Sequence, residues 1–223
     1  MKIIDLTHPI AESMPMYPGT GAPKLHVPYN HSEYGFMETL ITMYSHTGTH
    51  IDAPAHLYAT GLTLDKYPVE QFVGKALVVD CRMLKKGEKI PMSLLEEKGS
   101  ILNEADFILF FTGYSKLWGS SGYFYGYPIP SQEVVEWVNQ RKLKGIGVDA
   151  PSFDPVTIDT PEQISDDLHN HRTILKTNNT ILLENLRGLE EVGNELFMLY
   201  ALPLNIVNAD GAPARVIALL LEL

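Results

Sequence analysis

His46-Thr47-Gly48-Thr49-His50-Ile51-Asp52-Ala53-Pro54-Ala55-His56 gathers three of the chain's eight histidines and a carboxylate into eleven residues. The backbone conformation of this stretch decides what those side chains can do together. As a helix it would place His46 and His50 one turn apart on a common face. Gly48 and Pro54 oppose that reading, and Thr47, Thr49 and Ile51 are β-branched residues that favour extended backbone. The stretch therefore predicts a strand running into a loop. His46, His50 and Asp52 then stand at even offsets on one side of the strand, and His56 follows a Pro-bearing bend. Neutral imidazole and carboxylate together suit a divalent transition metal such as Zn²⁺ or Mn²⁺, and fewer than four fixed protein ligands leave room for a reactive water. A solitary histidine is ordinarily a hydrogen-bonded core or surface residue. It is the clustering that points to a metal.

The rest of the composition sets the frame. The chain has 223 residues, 45% hydrophobic and 20% charged, which predicts one compact α/β domain over residues 1–223. A formal net charge of −10 disfavours a nucleic-acid partner or an anionic membrane surface. Cys81 is the sole cysteine, so no intrachain disulfide can form, and the Met1-Lys2-Ile3-Ile4-Asp5 start has no signal-peptide apolar core. The longest apolar run, from Val216 to Leu221, is too short to span a bilayer. A cytoplasmic protein is expected.

Short apolar runs rich in Ile, Val and Phe predict strands at Lys2 to Leu6, Met37 to Ser45, Ala76 to Asp80, Phe107 to Thr112, Gly145 to Asp149 and Thr180 to Leu183. Further strands are expected in part of Leu196 to Val207 and over Arg215 to Leu221. Ser93-Leu94-Leu95-Glu96 has capping-box spacing and predicts a helix ending near Gly99. Ser131 can cap a second helix, with Val134, Trp137 and Val138 as its apolar face, ending near Gly145. Strands outnumber helices, which indicates a mixed central sheet.

Two segments are rich in aromatic residues. Between Gly113 and Tyr127 lie Tyr114, Trp118, Tyr123, Phe124 and Tyr125 among glycines and serines. This loop reads equally as a substrate wall, a cover over the core or a subunit contact. Met14-Pro15-Met16-Tyr17-Pro18-Gly19 reads as a lid, an arm reaching a partner subunit or plain surface. Downstream, Asp166-Asp167-Leu168-His169-Asn170-His171 supplies two more histidines, either polar loop residues or ligands. Glu184 ends the apolar run Ile181-Leu182-Leu183. Emerging from a buried strand, it should be paired or metal-bound, unless the strand end already reaches water.

The eleven-residue string resembles the signature of the cyclase family, which includes bacterial kynurenine formamidases and isatin hydrolases. Asp5-Leu6-Thr7-His8-Pro9-Ile10, Thr112-Gly113-Tyr114 with Trp118, and Gly147-Val148-Asp149-Ala150-Pro151-Ser152-Phe153-Asp154 resemble further family segments in the family's order. So do His171-Arg172, Leu183-Glu184-Asn185-Leu186 and Asp210-Gly211-Ala212-Pro213-Ala214-Arg215. The resemblance implies a swivelling β/β/α fold and a metal-dependent amide or lactam hydrolase that assembles as a homodimer or homotetramer. It implies that His46, His50 and Asp52 hold a metal and that His56 is the catalytic acid/base. In family members with two ions, Glu184 and His171, with His169 as the alternative, would complete a second site bridged by Asp52. Tyr17 and Trp118 would contact substrate. N-formylkynurenine is the first substrate expected, and isatin or a cyclic imide the next. A metal-dependent cyclase or lyase, or a silent protein whose metal stabilises the fold, would keep the same ligands. A Cys-free set with an extra His56 favours an open, catalytic site over a closed structural one.

Overall fold

Apolar residues on both faces of a strand demand cover on both sides, and the computed structural model, which describes residues 1–156, 168–177 and 180–220, supplies it by closing the sheet. The strands are β1 (Lys2–Asp5), β2 (Lys24–Tyr29), β3 (Glu38–Thr42), β4 (His50–Asp52), β5 (Val73–Asp80), β6 (Lys89–Ile90), β7 (Phe107–Phe111), β8 (Ile129–Pro130), β9 (Gly145–Val148), β10 (Ile181–Glu184), β11 (Phe197–Pro203) and β12 (Gly211–Leu220). The helices are α1 (His31–Tyr34), α2 (Met92–Glu96), α3 (Gln132–Arg141) and α4 (His169–Leu175). The ring runs β12-β11-β5-β7-β9-β10-β4 and closes because β4 pairs with both β10 and β12. β5, β7, β9 and β10 are parallel, and the remaining ring pairings are antiparallel, so the sheet is mixed as expected.

Period-2 alternation splits each strand between two cores. Ala76, Val78, Phe107, Leu109, Ile51 and Leu183 fill the inside of the ring. Leu77, Val79, Ile108, Phe110, Ile146 and Leu182 face outward, where Val134, Val135, Val138, Ile174 and Leu175 of α3 and α4 cover them. Each such side chain, fully removed from water, contributes about 1.5–3 kcal/mol. Helix α3 starts where expected, the Ser131 hydroxyl accepting from the Val134 N–H at 3.4 Å, but it ends at left-handed Lys142 rather than near Gly145.

Several expectations need correction. Ser93 does not cap α2, because the helix already begins at Met92 behind Pro91. The strand expected over Met37 to Ser45 shortens to β3, which pairs with β2 as a separate hairpin exposed along its whole length. His46 does not lie on a strand with His50 and Asp52, because Gly48 takes a left-handed φ of 66° and β4 begins only at His50. The segment containing His169 and His171 is a helix, not a loop. Asp166, Asp167 and the final residue of the expected last strand, Leu221, lie outside the described residues.

Candidate metal centre

β4 is pinned between two neighbours, with His50 opposite Glu184 of β10 and Asp52 opposite Leu182. Ile51 points into the closed core with 0% exposure, so alternation turns His50 and Asp52 to the outer face. Leu183 likewise points inward, placing Glu184 outward beside them. His171 arrives from α4, where the helical repeat sets it on the face that buries Ile174 and Leu175. The result is a cluster of four nearly inaccessible polar side chains: His50 at 3%, Asp52 at 1%, His171 at 3% and Glu184 at 5% exposure.

Outer partners fix how the two buried imidazoles point. His50 Nδ1 lies 2.8 Å from the Gly48 carbonyl, which can only accept, so Nδ1 carries the proton. Its Nε2 then faces Asp52 Oδ1 at 3.1 Å and Glu184 Oε2 at 3.5 Å. His171 repeats the pattern. Its Nδ1 lies 2.7 Å from Asp154 Oδ2, and its Nε2 faces Asp52 Oδ2 at 3.3 Å and Glu184 Oε1 at 3.1 Å. Asp154 also accepts the N–H groups of Asn170 and His171, anchoring the start of α4.

His46 enters over the turn at Gly48. Its Nδ1 is 2.6 Å from Asp52 Oδ1 and its Nε2 is 2.8 Å from Asp210 Oδ2. Room for its ring depends on Gly211, where an added Cβ would come within 2.6 Å of His46 Cε1. His56 sits on a short turn that follows Ala53, its ring 4.0 Å from that of His46 and its Nδ1 3.5 Å from Asp210 Oδ2. Asp52 therefore presents one oxygen to His46 and His50 and the other to His171, and Asp210 touches both His46 and His56.

The electrostatics describe a centre short of positive charge. Burial raises Glu184, and the neighbouring Asp52 raises it further. Burial opposes charge on Asp52 too, but His46 and His50 hold its carboxyl well below the usual range. Burial likewise opposes protonation of His46, yet Asp52 and Asp210 outweigh it and lift that imidazole to about 10. For His56 burial prevails and lowers the pKa. Two buried carboxylates facing two Nε2 atoms make contacts that only a proton or a cation between them can satisfy, and a divalent metal fits this mixed N/O donor set.

Above the cluster opens a cavity of about 400 Å³. Tyr17, Trp118 and Phe124 stand in its wall, with Met14, Met16 and Tyr44 near them. Trp118 stacks on His8 at 4.0 Å with an interplanar angle of 7°, and Tyr17 meets Phe124 edge-on at 6.3 Å. His46, His50, Asp52, His56, His171, Glu184, Tyr17 and Trp118 thus share one cavity. His169 does not join them. It sits exposed on α4 with its Nε2 2.6 Å from Gln132 Oε1, because standing two residues before His171 puts it on the opposite side of the helix from the cluster. Sequence reasoning gave no role to Asp154, Asn185 or Asp210. Asp210 directly precedes β12, and only the closure of the sheet brings it to His46.

A sequence model of the family described as "Putative cyclase" matches residues 4–155. The chain belongs to the cyclase family. One relative, the kynurenine formamidase of Erythrobacter litoralis, is 32% identical over 97% of this chain and 93% of its own. A cyclase-family fold is also found in an isatin hydrolase bound to the product analogue thioisatinate, with a TM-score of 0.82 at 21% identity, covering 99% of this chain and 93% of that one. A protein described as a predicted metal-dependent hydrolase from Bacillus stearothermophilus superposes with a TM-score of 0.75 at 28% identity, over 97% of both chains. No helix among the described residues is long and apolar enough to cross a membrane.

Proposed function

We propose that this cyclase-family chain is a metal-dependent amidohydrolase that cleaves the C–N bond of an aryl formamide, with N-formylkynurenine as the first candidate and Zn²⁺ or Mn²⁺, one ion or two, as cofactor. The observation that carries this reading is the convergence of His50 Nε2 and His171 Nε2 on Asp52 and Glu184, with each Nδ1 committed to an outer acceptor. Imidazoles held this way by a carbonyl or a carboxylate are a recurrent feature of metal centres. His46, His50 and Asp52 would hold one ion, and Asp52, His171 and Glu184 a second. A divalent ion so held supplies a lowered pKa for water, from about 15.7 towards about 7, and polarisation of a carbonyl.

The chain's own residues do the rest. Burial keeps His56 neutral near neutral pH, and Asp210 faces its Nδ1, leaving Nε2 to take a proton from the attacking water and return it to the leaving nitrogen. An anilide nitrogen needs that proton to depart. Tyr17, Trp118 and Phe124 hold the aryl ring against the apolar wall, and the depth of the cluster limits water to the reacting position.

A second reading, hydrolysis of a cyclic amide such as isatin, is favoured by the wall's charge: no Lys or Arg lines the cavity among the described residues, which suits a neutral planar substrate. The exposed apolar side chains of the β2–β3 hairpin, among them Val27, Leu40 and Ile41, support assembly as a homodimer or homotetramer. Metal analysis of the purified protein, together with a hydrolysis screen of N-formylkynurenine, formanilides, isatin and cyclic imides, tests the proposal. Metal-bearing protein that releases formate from formanilides supports it, and metal-free protein inert on the whole set refutes it.

A further inference from the structure

We propose that Tyr123 and Asn185 are positioning residues through which the aromatic loop over residues 113–127 sets the Nδ1–H hydrogen bond and the orientation of His50. The inference rests on the metal-centre reading above and extends it to the substrate wall. Tyr123 is fully buried, with 0% exposure, and its hydroxyl donates to Asn185 Oδ1 at 2.7 Å. That bond fixes the amide's direction, because Oδ1 accepts and Nδ2 must then donate. Nδ2 donates to the Gly48 carbonyl at 2.9 Å, the same oxygen that takes the proton of His50 Nδ1 at 2.8 Å.

Asn185 grips the turn from its main chain as well. Its carbonyl accepts the Thr49 hydroxyl at 2.6 Å, and its own N–H donates to the Ala150 carbonyl at 3.0 Å. It holds a left-handed φ of 57°, a conformation that Asn tolerates better than most residues. The Gly48 carbonyl therefore stays aimed at His50 Nδ1 only while the Asn185 amide is held, and the Tyr123 hydroxyl holds it. Were the amide released, it could rotate and bring Oδ1 against the Gly48 carbonyl, and the repulsion of two acceptors would move that carbonyl off His50 Nδ1. His50 Nε2 would then lose its fixed aim at Asp52 and Glu184. The same loop places Phe124 beside Tyr123 and Trp118 in the cavity wall, their rings 5.3 Å and 5.2 Å from the Tyr123 ring. A displacement of the wall would thus reach the metal-holding turn through a single buried hydroxyl.

The test compares Tyr123→Phe and Asn185→Asp with Tyr114→Phe, whose hydroxyl bonds within the loop to the Tyr125 carbonyl at 3.3 Å. Metal affinity is measured by competition with a chromophoric chelator for Zn²⁺. The His50 Nδ1–H bond to the Gly48 carbonyl is read from the ¹H and ¹⁵N shifts of that group in metal-free protein, and circular dichroism checks the fold. Tyr123→Phe is expected to weaken Zn²⁺ binding about 10- to 100-fold and to move the His50 Nδ1–H resonance upfield as its bond to Gly48 loosens. Asn185→Asp, which cannot donate to Gly48, should weaken Zn²⁺ binding likewise and shift the Nδ1–H resonance, and Tyr114→Phe should do neither. Wild-type affinity and an unchanged Nδ1–H resonance in a folded Tyr123→Phe or Asn185→Asp variant would overturn the proposal, and each variant suffices if the other does not fold. The NMR readout needs no metal, so a wild-type chain that binds none would defeat the functional reading while the positioning claim is still decided.

Discussion

The floor and the wall of the cavity are built by different means. The floor, His50, Asp52 and Glu184, is carried by two adjacent strands whose alternate residues are locked in the closed core. The wall, Tyr17, Trp118 and Phe124, comes from two loops, with Tyr17 of one meeting Phe124 of the other edge-on. Strand register leaves the floor almost no freedom, since a slip of one residue would bury His50 in the apolar core. The cavity-facing aromatics can be exchanged with no such consequence, unlike the buried Tyr123 behind them, whose hydroxyl reaches the floor through Asn185. Chemistry is fixed by the framework, and selectivity is left to segments that tolerate change.

Substitutions on the two sides should therefore separate cleanly. Asp52→Ala is expected to have the largest effect, abolishing metal content and hydrolysis together, as read by elemental analysis and formate release. His56→Ala should lower kcat about 10²- to 10⁴-fold with metal content intact, since proton transfer is lost and the ligands remain. Retained turnover in that variant would remove His56 from the proton path. Asp210→Asn should cost about 10- to 100-fold, divided between metal affinity and kcat because the carboxylate touches both His46 and His56. On the wall, Tyr17→Ala or Trp118→Ala should leave metal content unchanged and shift the preference between formanilide and isatin by about 10-fold, measured as the ratio of kcat/KM values.

The smallest effect concerns His8 behind Trp118. Burial, reinforced by Arg187, lowers its pKa to about 4, below the value of about 6.5 expected in the unfolded chain. The unfolded chain therefore binds the proton first, so the stabilisation from a neutral His8 is complete above about pH 6.5 and is lost as pH falls towards about 4. His8→Phe keeps a ring against Trp118 and should show a smaller drop in Tm between about pH 7 and pH 4.5 than wild type. An identical drop in both proteins would remove His8 from the acid sensitivity.

How much of this could be read from the sequence follows the same division. The strands of the ring were legible because Phe107 to Phe111 and Ile181 to Leu183 are apolar on both faces, which only a doubly covered strand requires. The cluster at residues 46–56 was legible because its ligand types stand close together in the chain. Its geometry was not, since Gly48 turns the chain where β-branched neighbours argued for a continuous strand. Asp154, Asn185 and Asp210 fall in segments that resemble the family's, but no role could be read for them because their partners lie 17, 135 to 137 and 164 residues away along the chain, as in the contacts to His171, to His50 and Gly48, and to His46. The β2–β3 hairpin was missed in part because its alternation marks no buried face in the chain itself.

The central claim is that the buried histidine–carboxylate floor makes this chain a hydrolase by holding a metal. It is tested most directly by assaying formanilide hydrolysis before chelator treatment, after it, and after adding back Zn²⁺ or Mn²⁺. Activity that disappears with the metal and returns with stoichiometric ion in wild type, but not in Asp52→Ala, is the predicted result. Hydrolysis that persists in chelator-stripped protein shown by elemental analysis to be metal-free would contradict it.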